Sequence, residues 1–313
     1  MTAVRLEVVE YTDPACPWAW GSEPKVRALL RALAGAADHR RVFGILFDED
    51  DDPAPDPAAE TAWYARYVEG ITAHTGAPRA AGLRWVAASS WPASLAAAAA
   101  EAQGPLVAEW VLRRLRETAF VLGEPADTPA RVRAALHGVP GLYLDRLAAD
   151  AGSAAVLERV RADRAETRRP IPEVVGLRGP GPHPGAAKET EDGHRYALPT
   201  LLFVGPAGRR AVPGWRPLVE YLAAARAVCP GLVPRQDAPT AAMLMERYRS
   251  VSASELDSAE GAVPVGAVRV ETAGEALFLH PTERSGSLLL TGPDAPELQG
   301  SCVVGELGRA ARE

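Results

Sequence analysis

Polar and apolar positions alternate over residues 4–11, where Val4, Leu6 and Val8 are set against Arg5 and Glu7 before the run turns apolar. β-Branched residues in that pattern predict a mostly buried strand. The turn residues Thr12, Asp13 and Pro14 follow, and from Glu23 the period changes. Val26, Leu29, Leu30 and Leu33 recur at three- and four-residue spacing as far as Gly35, which is one apolar face of a helix. Residues 41–47 read as a second strand. Strand, helix and strand in this order predict a parallel βαβ unit with a right-handed crossover.

Residues 48–57 are acidic and proline-rich and read as a solvated loop. From 58 to about 169 the pattern is helical, with helices expected at 93–103, 106–122, 128–136 and 153–167. Asp127-Thr128-Pro129 supplies a capping residue and a first-turn proline. Residues 170–193, rich in Gly and Pro without a period, read as a long loop. β structure resumes at Tyr196, with a strand at 200–204, a Gly-Pro-Ala-Gly turn and a short partner at 209–212. A helix at 216–228 is then stopped by Cys229-Pro230-Gly231. In the tail, helices at 241–249 and 255–260 precede strands near 268–271 and 276–279, the order of a small winged-helix-like module. The whole is an α/β chain with a βαβ first part (1–57), a helical block (58–175), a ββα part (176–235) and a C-terminal α+β module (238–313).

The 313 residues suffice for a large core, and 47% apolar with 24% charged residues is ordinary for a globular protein. A formal charge of -6 argues against a general polyanion surface, and no basic stripe interleaved with aromatics points to nucleic acid. The basic run Arg113-Arg114-Leu115-Arg116 lies among acidic residues in a helical pattern and reads as a solvated face. The N-terminus lacks the pattern of a secretory signal, and the alanine-rich run 94–100 is too short to span a bilayer, so a cytoplasmic protein without membrane contact is expected.

His39, His74, His137, His183, His194 and His280 have no metal-ligand spacing, although His183 and His194 sit in and beside the Gly/Pro loop. Asp48 to Asp52 lacks the spacing of a calcium loop, and Gly179-Pro180-Gly181-Pro182 lacks the lysine and context of a phosphate cradle. No metal is expected.

The cysteines Cys16, Cys229 and Cys302 are far apart and odd in number, so packing or chemistry must explain each. Cys16 stands out within Tyr11-Thr-Asp-Pro-Ala-Cys-Pro-Trp-Ala-Trp-Gly, just past a strand at an expected helix start. Unpaired N–H groups and the helix dipole there favour negative charge, which predicts a lowered thiol pKa and a reactive thiolate. Pro17 suits the first helical turn, and Trp18 and Trp20 supply aromatic walls, with Trp85 and Trp91 as further candidates. From these residues alone, a small buried hydrophobe remains the competing reading of Cys16. A second element, Ala197-Leu198-Pro199-Thr200-Leu201-Leu202-Phe203, places a proline at the opening of an apolar strand, where either peptide isomer is allowed.

Strand, Cys-Pro-Trp at a helix start, a helical insertion and Leu-Pro-Thr before a hairpin and last helix together resemble the DsbA-like thioredoxin-fold family. The resemblance is to its intracellular branch of FrnE-type oxidoreductases, 2-hydroxychromene-2-carboxylate isomerases and kappa-class glutathione transferases, and it covers residues 4–229. It implies a thioredoxin fold, Cys16 as the nucleophilic thiol, and Pro199 as a cis-proline whose flanking backbone pairs with substrate. Pro17, Trp18, Leu198, Pro199 and Thr200 would then form the binding surface.

The chain departs from the redox members in carrying Ala19 where they have a second cysteine. Alanine cannot resolve a mixed disulfide. The expectation is therefore a monothiol thiol–disulfide oxidoreductase, or a small-thiol-dependent isomerase or transferase. It would have no tightly bound cofactor, and its co-substrate would be a low-molecular-weight or protein thiol. The alternative is a non-catalytic adaptor docking a partner peptide beside Pro199, as DsbA-like adaptors that present substrates to a protease do, with the C-terminal module as a second holding surface.

Overall fold

The computed structural model describes residues 6–48, 54–178, 182–183, 185–191, 193–285 and 287–291. Strand β1 (Leu6–Thr12) leads through Cys16 into α1 (Pro17–Ala32) and back to β2 (Ala37–Phe43). β1 and β2 pair in parallel, from Leu6 opposite Ala37 to Thr12 opposite Phe43, with α1 as the crossover that parallel pairing requires.

The second strand was expected at 41–47. It forms four residues earlier, because β2 is an edge strand that tolerates charge. Its His39 and Arg41 reach the buried Glu10 of β1, and Arg40 reaches Glu7. The apolar Ile45, Leu46 and Phe47 are freed to turn toward the helices and the site.

The chain then builds α2 (Pro57–Thr75), α3 (Trp91–Ala100), α4 (Pro105–Phe120), α5 (Pro129–Ala135), α6 (Leu144–Ala151) and α7 (Ala154–Thr167). Their starts follow cap chemistry. Asp56 accepts from the Ala58 and Ala59 amides with Pro57 next to it, Thr128 accepts from Arg131, and Ser153 accepts from Val156. The alanines of α3 are buried, and these small side chains let α4, α5, α6 and α7 close around it in one core with Val111, Leu115 and Leu136.

Residues 170–193 are not wholly a loop. β3 (Ala187–Thr190) pairs antiparallel with β4 (Gly193–Tyr196). β5 (Thr200–Gly205) and β6 (Gly208–Pro213) complete a four-stranded sheet of order β2-β1-β5-β6, antiparallel beyond β1, and α8 (Leu218–Val228) follows. One sheet face carries α1 and α8 on Leu6, Val8, Leu201 and Phe203. The other face carries Val9, Tyr11, Cys16, Trp18, Leu198 and Leu202.

In the tail, α9 (Ala241–Tyr248), β7 (Ser250–Ser252), α10 (Ala253–Asp257), β8 (Val268–Val270) and β9 (Leu277–Leu279) form a three-stranded sheet of order β7-β9-β8. The strand between the helices was not foreseen. α10 has only five residues and no helix forms between it and β8, so no long helix is presented by the module. Cys302 lies outside the described residues.

The basic run on α4 is not a solvated face: Arg113, Arg114 and Arg116 are buried, Arg116 to 2% exposure. Arg116 donates to Glu23 at 2.9 Å and to Thr12 at 2.7 Å. Arg113 donates to Glu117, Ser250 and Glu23 and stacks over Trp20, and Arg114 pairs with Glu283. Burial is possible because each charge meets an opposite one brought by another part of the chain.

Asp48 is corrected in the same way. It is buried, and it accepts from Arg164 at 2.6 Å, Arg168 at 3.2 Å and the Trp91 indole at 3.0 Å.

Candidate functional site

The loop before α1 is held by Asp13. One carboxylate oxygen accepts from the Ala15 amide at 2.8 Å, and the other accepts from Leu46 at 2.8 Å. Burial pushes the Asp13 carboxyl up to about 6 against these hydrogen bonds. Cys16 is the cap residue of α1 in extended backbone geometry, with Pro17 in the first turn and its own amide bonded to the Asp13 carbonyl. Its thiol donates to the Leu198 carbonyl at 3.5 Å, and the Leu198–Pro199 peptide bond is cis. The two sequence motifs, 182 residues apart, therefore meet.

A cavity of about 270 Å³ opens at the sulfur. Cys16, Pro17, Trp18 and Leu198 line it. Pro199 and Thr200 are not part of that lining. Pro199 accepts from the Gly214 amide, and Thr200 donates its hydroxyl to the Ala197 carbonyl at 2.6 Å, so both brace the wall from behind.

Of the expected tryptophans only Trp18 reaches the cavity. Trp20 is buried against Phe120 with its indole donating to Pro78. Trp85 lies under Arg131, and Trp91 belongs to the helical core. The aromatic wall comes instead from Trp63, Tyr64 and Tyr67 of α2, with Phe47 beside them. Trp63 stacks on Tyr67 at 5.6 Å, and Tyr67 accepts from the Trp18 indole at 3.2 Å. These residues went unnoticed in the sequence, although their helical spacing puts them on one face. Lys188 and Arg195 of the β3–β4 hairpin also line it.

The electrostatics differ from the helix-start expectation. Burial pushes the Cys16 thiol up from 9.0 to about 11. The Ala19 and Trp18 amides favour the thiolate, buried Asp13 disfavours it, and desolvation dominates. Cys16, 3% exposed, thus carries a neutral thiol at neutral pH rather than an activated thiolate.

His183 packs edge-on against Trp18 at 5.0 Å, and burial lowers it to about 4, so it is uncharged. Among the described residues no group of three His, Cys, Asp or Glu could hold a metal, and no helix is long and apolar enough to cross a membrane. Cys229 packs with the α1 and α8 side of the sheet, away from Cys16.

No protein-family model matches the chain. It is 30% identical over 161 residues to the ClpXP adapter protein SpxH of Shouchella clausii (strain KSM-K16), a match covering 50% of this chain and 52%, about half, of that relative. Among solved structures it is similar to a candidate protein disulfide isomerase from Nitrosomonas europaea, with a TM-score of 0.53 and 15% identity over 72% of this chain and 95% of that one. A cytosolic disulfide reductase DsbM from Pseudomonas aeruginosa gives a TM-score of 0.47 at 16% identity, over 71% and 93% of the two chains. By strand order and by this likeness, the chain has a thioredoxin fold with helices inserted between its halves and an α+β module at its end.

Proposed function

We propose that the protein is a thiol–disulfide exchange enzyme that works through one sulfur, Cys16, and uses a small thiol from solution to complete turnover. The observation that carries this reading is the placement of the Cys16 thiol at the base of an aromatic-walled cavity, against the Leu198 carbonyl. The deprotonated sulfur attacks a substrate disulfide. A bond forms between Cys16 and one substrate sulfur as the substrate S–S bond breaks, and the other substrate sulfur leaves with the electron pair. A second thiolate then attacks the substrate sulfur of the mixed disulfide, a new S–S bond forms there, and the Cys16 sulfur leaves with the electron pair and takes up a proton. Ala19 cannot perform that second step, and Cys229 packs on the other sheet face. Pro17, Trp18 and Leu198 contact the substrate, and Pro199 and Thr200 fix the backbone against which it lies.

The test is turnover of a mixed-disulfide substrate with and without added small thiol, with mass measurement of the Cys16 adduct. Turnover that requires the small thiol and falls to background in Cys16→Ser supports the reading. Absence of an adduct, or unchanged turnover in Cys16→Ser, overturns it in favour of a docking role. That role is supported by the likeness to the adapter protein SpxH, over about half of that relative's length.

A further inference from the structure

The lining of the Cys16 cavity carries an arrangement that thiol chemistry alone does not require. Lys188 and Arg195 are direct cross-strand partners in the β3–β4 hairpin, and both line the Cys16 cavity. Like charges placed opposite one another on an antiparallel pair are destabilising. Arg195 is held by donating to the Tyr196 carbonyl at 3.0 Å. Lys188 has no carboxylate partner among the described residues. A half-buried lysine beside an arginine, with no carboxylate partner among the described residues, can take an anion from outside the chain.

The same cavity is lined by Trp63, Tyr64 and Tyr67; the Trp63 and Tyr67 rings lie parallel, Tyr64 is tilted to both, and Trp63 is 57% exposed. A volume of about 270 Å³ is at the lower end for small-molecule sites, room for a ring-sized body and not for a folded chain.

We propose that the sulfur compound taken by this site is a small, flat, carboxylate-bearing one, whose apolar body lies on Trp63 and Tyr67 and whose anionic group is held by Lys188 with Arg195. Burial and the neighbouring Arg195 both press against the charged form of Lys188, a pressure that a bound carboxylate relieves. The inference rests on Cys16 as the reacting sulfur and adds the selectivity of that site.

Two aromatic disulfides separate the claims. Dithiobis-nitrobenzoate carries a carboxylate on each ring, and dithiodipyridine is neutral. Each forms a bond to Cys16 sulfur and expels one aryl thiolate, whose absorbance reads the rate. The expected result is a ratio of anionic to neutral rate constants higher than that of free cysteine. That ratio falls about tenfold in Lys188→Gln, the scale of removing one charge in a partly solvated site, falls further in Lys188→Glu, and is kept in Lys188→Arg. Arg210→Glu, a charge reversal on an exposed position of β6, controls for net charge and keeps the ratio. Reaction with both reagents at a ratio indifferent to Lys188 overturns the inference and leaves Cys16 in place. Failure of both reagents to modify Cys16 removes the reading beneath it.

Discussion

Cys16 sits where two effects of opposite sign meet. Amides at the start of α1 favour its thiolate, while enclosure by Trp18, Leu198 and the neighbouring strands favours its thiol, and the enclosure prevails. The folded thiol, raised from 9.0 to about 11, gives up its proton later than the unfolded one. Its contribution to stability is therefore full below about pH 9 and is lost as pH rises toward 11. The urea midpoint of the protein relative to Cys16→Ala is expected to shrink between pH 8 and pH 10, and alkylation of Cys16 to keep accelerating through pH 10. A plateau in the alkylation rate below pH 8 contradicts the raised thiol. At this scale the position of the thiol was legible, because a strand end, a proline and a helix start are local matters. Its ionisation was not, because the groups that exclude water from it come from residues far along the chain.

Elements show the same division. The strand before Cys16, the hairpin after Pro199 and the helices of the insertion announce themselves through periodicity and caps. Two other elements do not. β3 and β4, reading Ala-Lys-Glu-Thr and Gly-His-Arg-Tyr, lack an apolar alternation, and pairing alone makes them strands. α4 carries arginines that resemble a wet face until Glu23, Glu117 and Glu283 close on them. Burial alone would raise the Glu23 carboxyl, but Arg27, Arg113 and Arg116 hold it at about 2. Arg116→Ala leaves Glu23 buried with fewer partners, and the expected cost is about 3 kcal/mol or more in a denaturant titration. A solvated residue would cost less than about 0.5 kcal/mol, which is the result that contradicts this account.

Across the whole molecule, α4 is the common member. It touches the α1 side of the thioredoxin fold through Glu23, and it touches the C-terminal module through Ser250 and Glu283. Arg27 of α1 also donates to the Ser250 carbonyl at 3.2 Å, so the module is fastened to two elements by buried charge. One cooperative thermal transition is expected, by both near-UV circular dichroism and tryptophan fluorescence. Glu283→Ala should lower that single transition without splitting it. An early, separate melting of the module would mean that these contacts do not couple it to the rest.

The residues alone determined the strand, helix and hairpin that frame the site, the place of the thiol at a helix start, the proline that answers it and the alanine, Ala19, where a second cysteine would stand. Each of these depends on backbone preference and spacing within a few positions of the chain. Tertiary structure decided which charges are buried, which aromatics form the wall beside Cys16 and that Lys188 and Arg195 face each other across a hairpin. Those outcomes are set by desolvation and by partners brought together from distant segments, and neither quantity exists until the chain has closed on itself.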